Sequence, residues 1–380
     1  MFKKAKLPQQ DPQRARDPRF VGAAINACLE PYGLAPAEPG NNMRGYGIFG
    51  VIQEILTRSG APERSATKMI RAIGGPGDAL FSVSDFPQIL NGISQAAMLA
   101  GWESESQAYE RFCGATDVKT LRQEQKLVIG GFGVLSKLDE TGELPAPVLA
   151  STVIDAKADA YGASFGLSYQ ALVNNDLSKL IADSRAIGRA AAASLNSAVF
   201  GTLASNGSIY DGGNLFNSND LGLPGGHANM PSVASALSSS SIAKGKASMR
   251  RQIGTPEKDR PLNIRPRYLI VPAELEELAW DSVGLPQGFG ESGSDVERYL
   301  IDAGRVEPIS TPYLANATGW YLAANPIVAP ILNIAYLNGR REPIVMSTPC
   351  FESNGVDFVV QFDFGVTAGD FRGGYFNPGA

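Results

Sequence analysis

The stretch that most limits what this chain can fold into is residues 174–207, NNDLSKLIADSRAIGRAAAASLNSAVFGTLASNG. Leu177, Leu180, Ile181, Ser184, Ile187, Ala191, Leu195, Val199 and Leu203 recur at the spacing of a single helix face. Asn174 or Asn175 can cap the start, and Asn206-Gly207 supplies a left-handed stop. At about 1.5 Å per residue the run makes a rod of roughly 45 Å, more than twice the usual globular helix. Such a rod is either the core helix of a large body or a spine linking separate lobes. The alanines at 190–193 allow close approach of whatever crosses it.

A second element cannot stand alone. KLVIGGFGVLSKL (126–138) and ELPAPVLASTVI (143–154) are β-like arms joined by the polar tip DETG. Their glycines and prolines loosen the ribbon, and two strands without a second layer are marginal in water. The hairpin therefore leans on another part of the chain or on a neighbouring subunit.

The rest of the chain alternates helical and strand-like segments. Helical runs are FVGAAINACLE, YGIFGVIQEILTRSG and PERSATKMIRAIGG within 20–74, then FPQILNGISQAAMLAGWESESQAYERF, and one from about 240 to 253. In the fourth of these Ile89, Ile93, Ala97 and Ala100 form the apolar stripe. RYLIVPAELEELAW reads as a buried strand running into an acidic helix start, VDFVVQFDFGV as a strand, and 207–241 as a loop rich in Gly, Ser and Asn. With 42 Gly and 25 Pro in 380 residues, many bends are expected and a helical bundle is not.

Charge and cysteine usage narrow the function. Lys and Arg number 33 against 38 Asp and Glu, a net of −5, so no cationic excess is available to grip nucleic acid tightly. The opening MFKKAKLPQQDPQRARDPRF is locally basic but has prolines and glutamines where a signal peptide has its apolar core. Cys28, Cys113 and Cys350 are too scattered for a disulfide framework or a zinc site, which suits a reducing compartment. Residues 308–339 carry no charge, yet Pro312, Pro326 and Pro330 cut them into strand-length pieces rather than a membrane span. A soluble protein is expected.

Two motifs imitate catalytic or cofactor sites. Gly45-Tyr46-Gly47-Ile48-Phe49-Gly50 has the dinucleotide-binding spacing, but LAPAEPGNNMR before it cannot be the strand that fingerprint requires. Gly162-Ala163-Ser164-Phe165-Gly166 has the nucleophile-elbow spacing, and Ser164, Asp211 and His227 follow the chain order of a hydrolase triad. Against this, the residues around Ser164 alternate like a half-exposed strand, and His227, the one histidine, lies in the loop LPGGHANMP. No catalytic residue, metal ligand or cofactor is assigned. The serine hydrolase using Ser164 stands as a distant alternative, and surfaces are expected to do the work.

SDFPQIL (84–90) with AGWE after it, GLSYQALVNNDLS and IGRAAAASLNSAVFGTL, LNIRPRYLIVPAELE, GWYLAANP and the closing FRGGYFNPGA occur in order over about 80–380. This set resembles the Mu-type major head subunits (gpT-like) of tailed phages. The resemblance implies the Hong Kong 97 capsid fold, an α+β class with an N-terminal arm, an extended-loop hairpin, a peripheral domain on a spine helix, and an axial domain. It implies an arm or scaffold-like segment over 1–83 and the start of the shell domain over 84–126. The extended loop then spans 127–154, the peripheral domain 155–231, the axial domain 232–325, and 326–380 completes the sheet. Inter-subunit contacts would fall at Lys137, Asp139, Glu140 and Glu143 on the loop. Some capsids of this fold cross-link a loop lysine to a neighbour's asparagine. Lys137 and Asn354 have that chemistry, although a solvated lysine is the plainer reading.

The function implied is a major capsid protein forming hexamers and pentamers of an icosahedral shell around double-stranded DNA, without catalysis. It would reside in the virion after assembly in the host cytoplasm. Its partners would be its own copies, a portal, and scaffolding, protease or decoration proteins, with no membrane and no tight hold on DNA. The alternative is an encapsulin-like compartment of the same fold enclosing enzyme cargo.

Overall fold

The computed structural model describes residues 18–35, 85–129, 151–167, 177–254, 261–283, 306–350 and 355–380. In chain order the main elements begin with α1 (Pro18–Leu29), α2 (Asp85–Glu103), β1 (Cys113–Val118), β2 (Glu124–Ile129), β3 (Ser151–Ala156) and β4 (Asp159–Leu167). The long helix α3 (Leu177–Ser205), α4 (Ser239–Arg251), β5 (Pro266–Pro272) and α5 (Glu276–Val283) follow. The chain closes through β6 (Glu307–Thr311), β7 (Trp320–Ala324), β8 (Leu332–Leu337), β9 (Ile344–Cys350), β10 (Gly355–Ala368) and β11 (Gly374–Asn377). The class is α+β. Two compact units interleave along the chain, one drawn from 1–106, 161–193 and 342–362, the other from 107–160, 194–341 and 363–380.

In the first unit, α1, α2 and the opening turns of α3 cover one face of the ribbon formed by β9 and β10. Alternation does the sorting: Val356, Phe358 and Val360 of β10 and Val345 of β9 enter the core with Ile89, Leu90, Ile93, Ala97, Leu180 and Ile181. Phe165 of β4 stacks on Phe358 with ring centroids 5.0 Å apart. Gln95 secures the exposed edge of β9, donating from Nε2 to the Pro343 carbonyl at 3.1 Å and accepting from the Val345 amide at 2.8 Å.

Where α2 crosses α3 the two backbones touch. A methyl group at Gly188 would stand 2.1 Å from the Met98 carbonyl oxygen, and one at Gly101 would stand 2.2 Å from that of Arg185. Beside the crossing, the buried hydroxyls of Ser94 and Ser184 hydrogen-bond at 2.8 Å, which satisfies the polar member of the α3 stripe. Close approach was expected at the alanines of 190–193; of these Ala192 is buried and Ala190 exposed, and the backbone contact itself falls at Gly188. The reason is steric: alanine keeps helix axes a methyl group further apart than two opposed glycines.

Besides the two-stranded β2-β3 ribbon, the described residues of the second unit contribute to two larger sheets. In one, β8 lies between β1, which runs parallel to it, and the last residues of β10, which run antiparallel. The other has the order β11-β7-β5-β6. Its β5 pairs parallel with β6 through α5, and six of its seven residues, Pro266 and Tyr268 to Pro272, are buried, the apolar run of a strand covered on both faces. Trp320, Leu322, Leu269, Val271 and Tyr375 share a core with Ile242 and Met249 of α4 and Ala279 of α5. Phe216, Tyr321 and Phe376 form an aromatic cluster with centroids 4.5–5.6 Å apart.

The long helix follows the sequence closely. Leu177, Leu180, Ile181, Ser184, Leu195, Val199 and Leu203 are buried, and Asn206 stops the helix with φ of 48°. Asn206 also closes the following loop, donating from Nδ2 to the Phe216 carbonyl at 2.9 Å and accepting from the Phe216 amide at 2.7 Å. The strand readings within 308–339 are β6, β7 and β8. Helical segments expected within 36–74 lie outside the described residues.

Gly188→Val is expected to destabilise the protein by at least ~1–3 kcal/mol, because the helices must separate to admit the side chain. Chemical unfolding should show it, whereas Ala190→Val at the neighbouring exposed position should change stability by less than about 0.5–1 kcal/mol.

Candidate functional site

The structure resolves the expected hairpin at its root. β2 and β3 pair antiparallel from Glu124 opposite Ala156 to Ile129 opposite Ser151. Ala156 and Ala158 pack on Val118 of β1 and Ala335 of β8, so small side chains join the ribbon to the second unit. The approach is close: a methyl group at Gly365 would stand 1.9 Å from the Lys157 carbonyl oxygen. The ribbon between its arms, with Lys137, Asp139, Glu140 and Glu143, lies outside the described residues, as does Asn354.

Glu124, which the sequence analysis passed over, organises the turn from β1 into the ribbon. Its Oε1 accepts from the Lys119 amide at 2.9 Å, the Thr120 amide at 3.1 Å and the Thr120 hydroxyl at 3.3 Å. The bond from the Lys119 amide is the main cause holding this carboxyl below its ordinary pKa. Lys126 extends the anchor, donating from Nζ to the Asp117 carbonyl at 3.0 Å. A glutamate two residues ahead of a lysine at the start of a strand carries no distinctive sequence signal.

Ser164 sits in the middle of β4, a continuous strand, and is exposed. It is not on the strand-to-helix turn that a nucleophile elbow requires. His227 is fully buried in the second unit. Its Nε2 donates to Asp211 Oδ2 at 2.7 Å, while Nδ1 lies 3.0 Å from Asn217 Nδ2 and 3.2 Å from the Leu215 carbonyl oxygen. Its ring stacks on Phe371 with centroids 3.8 Å apart. Both ring nitrogens are thus engaged within the loop, and the pair formally resembling half a triad is a structural pin.

The same network corrects the reading of 207–241 as an extended loop. Asn217 accepts from the His227 amide at 2.9 Å, and Asn229 donates to the Leu215 carbonyl at 2.8 Å and the Phe371 carbonyl at 3.1 Å. Asparagine side chains substitute for backbone pairing, so a segment without regular structure is still internally bonded. The described cysteines are buried: burial pushes the Cys28 thiol up to about 11 and raises that of Cys113 well above its usual value, which keeps both protonated at neutral pH.

Among the described residues no group of histidine, cysteine and carboxylate side chains could hold a metal ion, and no helix is long and apolar enough to cross a membrane. Val233, Val328 and Ile327, the last 91% exposed, are apolar side chains that stand on the surface. The model of a family described as phage capsid protein matches residues 151–377, and the chain belongs to that family.

None of the curated proteins matches the chain by sequence. Solved structures match it by fold. The virus-like particle from Pyrococcus furiosus aligns at 12% identity and a TM-score of 0.44 over 75% of this chain and 97% of that one. The capsid of cyanophage P-SCSP1u aligns at 10% identity and 0.45 over 70% and 86%. The capsid of a native GTA particle aligns at 13% identity and 0.42 over 72% and 90%.

The lowered Glu124 carboxyl contributes stability that is present above the pKa of an ordinary glutamate, about 4.3, and is lost as pH falls through the lower folded value. Hydrogen exchange at the Lys119 and Thr120 amides is therefore expected to speed up on acidification below that range beyond its intrinsic pH dependence. In Glu124→Gln this extra acid sensitivity should vanish.

Proposed function

We propose that this chain is the major head subunit of a tailed phage, built on the Hong Kong 97 plan, which self-assembles as hexamers and pentamers of an icosahedral shell around double-stranded DNA. The observation that carries the reading is the family match over 151–377, which takes in α3, both sheets' C-terminal strands and the β3 arm of the hairpin. In this reading the ribbon rooted at β2 and β3 is the extended loop over 127–154, reaching a neighbouring subunit through Lys137, Asp139, Glu140 and Glu143. The helix α3 is the spine of the peripheral domain over 155–231. Residues 232–325 form the axial domain, 326–380 complete the sheet, 84–126 open the shell domain, and 1–83 are an arm or scaffold-like segment.

Physical grounds support it. A ribbon held at its root by alanines and one carboxylate gains most of its stability from what it lies across, and permanent assemblies commonly bury ~2,000–5,000 Å² per interface. A net charge of −5 lets packed DNA slide rather than adhere. The protein then works in the virion after assembly in the host cytoplasm, alongside a portal and scaffolding, protease or decoration proteins, and Lys137 with Asn354 is the pair to examine for covalent linkage.

Electron microscopy of the purified full-length chain is expected to show closed shells, and nucleic acid rather than enzyme cargo is expected in native particles. A monomer at high concentration across buffers overturns the proposal, and enclosed protein cargo replaces it with an encapsulin-like compartment. Denaturing gels of assembled particles that show only monomer-sized bands dismiss the cross-link.

A further inference from the structure

The Gly162-Ala163-Ser164-Phe165-Gly166 motif has no catalytic role, yet its placement is unusual. On β9 and β10 the residues that do not enter the core form an outward face: Ile344, Met346 and Thr348, opposite Gln361, Val359 and Asp357 in register. Met346 and Val359 are direct cross-strand partners, 44% and 37% exposed. The strand β4 adds Gly162, Ser164 and Gly166, all exposed, a lane almost without side chains. The Asp357 carboxylate leans across it: a methyl group at Gly166 would stand 2.8 Å from Asp357 Oδ1. Among these face residues Asp357 is the one charged group. The surface is flat, apolar at one point and anionic beside it.

The turn between β1 and β2 has the matching character. Lys119, Leu121 and Arg122 are all exposed, placing an apolar side chain between two cations. Glu124 fixes the turn through the Lys119 and Thr120 amides, so docking it orders little that is not already ordered. The exposed pair Ile327 and Val328 is neutral and offers nothing to Asp357.

We propose that the turn at 119–122 of one copy docks on the β4-β10-β9 face of a second copy, with Leu121 over Met346 and Val359 and the two cations about Asp357. The glycine lane lets the incoming backbone come close. The contact joins two different patches, so it is heterologous and propagates from copy to copy as a ring or lattice requires. It rests on the shell reading and adds the residues of one contact to it.

Leu121→Cys and Met346→Cys are prepared as separate full-length proteins, mixed under assembly conditions and oxidised, with the parent protein as control. The expected product is a dimer-sized band containing one copy of each variant, well above the self-paired bands. No mixed band, or one no stronger than the self-pairs, overturns the proposal. In parallel, Asp357→Lys is expected to cut the assembled fraction about tenfold at unchanged thermal stability through like-charge repulsion, and adding Lys119→Glu and Arg122→Glu should restore it. Assembly of Asp357→Lys at the parent level overturns the contact. Shells from the parent protein without the mixed disulfide sink this inference alone, whereas the mixed disulfide without shells sinks the shell reading alone.

Discussion

The first unit depends on two peptide backbones meeting where α2 crosses α3. Gly101 and Gly188 place each helix against a carbonyl of the other, closer than any side chain permits. The approach lets Ser94 reach Ser184 and brings Ile89, Ile93, Leu180 and Ile181 into one core over β9 and β10. Interiors pack at near-crystalline density, so an added methyl group at such a contact is relieved only by moving a whole helix. The helix α3 itself continues past Ala193 into residues of the second unit.

The second unit applies the same economy at the root of the ribbon. Ala156, Ala158, Val118 and Ala335 make a thin contact, and Gly365 lies against the backbone at Lys157. Small residues allow intimacy but bury little apolar area, and at roughly 25 cal/mol per Å² such a contact contributes little. Hydrogen bonds to the Glu124 carboxylate and from the Lys126 ammonium supplement it. The described root of the ribbon is thus fixed by a thin apolar contact together with side-chain hydrogen bonds.

Residues that looked chemical in isolation lost that meaning in three dimensions for separable reasons. Ser164 lies in a flat strand, where the backbone never makes the sharp turn that exposes a nucleophile. His227 is stacked on Phe371 and bonded to Asp211, its polarity consumed in holding the loop. Spacing along the chain specifies neither the backbone turn nor the burial on which catalysis depends.

Local periodicity was enough to place α3, its stop at Asn206, the β5 strand with the helix behind it, and the strand pairing at the root of the hairpin, since each is governed by neighbours within a few residues. Of the short motifs that pointed to the capsid family, FRGGYFNPGA packs inward through Tyr375, which shares the core of Trp320 and Leu322, and Phe376, which stacks on Tyr321. Contacts between residues far apart in the chain could not be read that way. Gly101 against Arg185, Asn229 against Phe371, Asp357 over Gly166 and the bonded order inside 207–241 arise only when distant segments meet. A glycine or asparagine has no pattern of its own to announce its partner, and the fold alone chooses one.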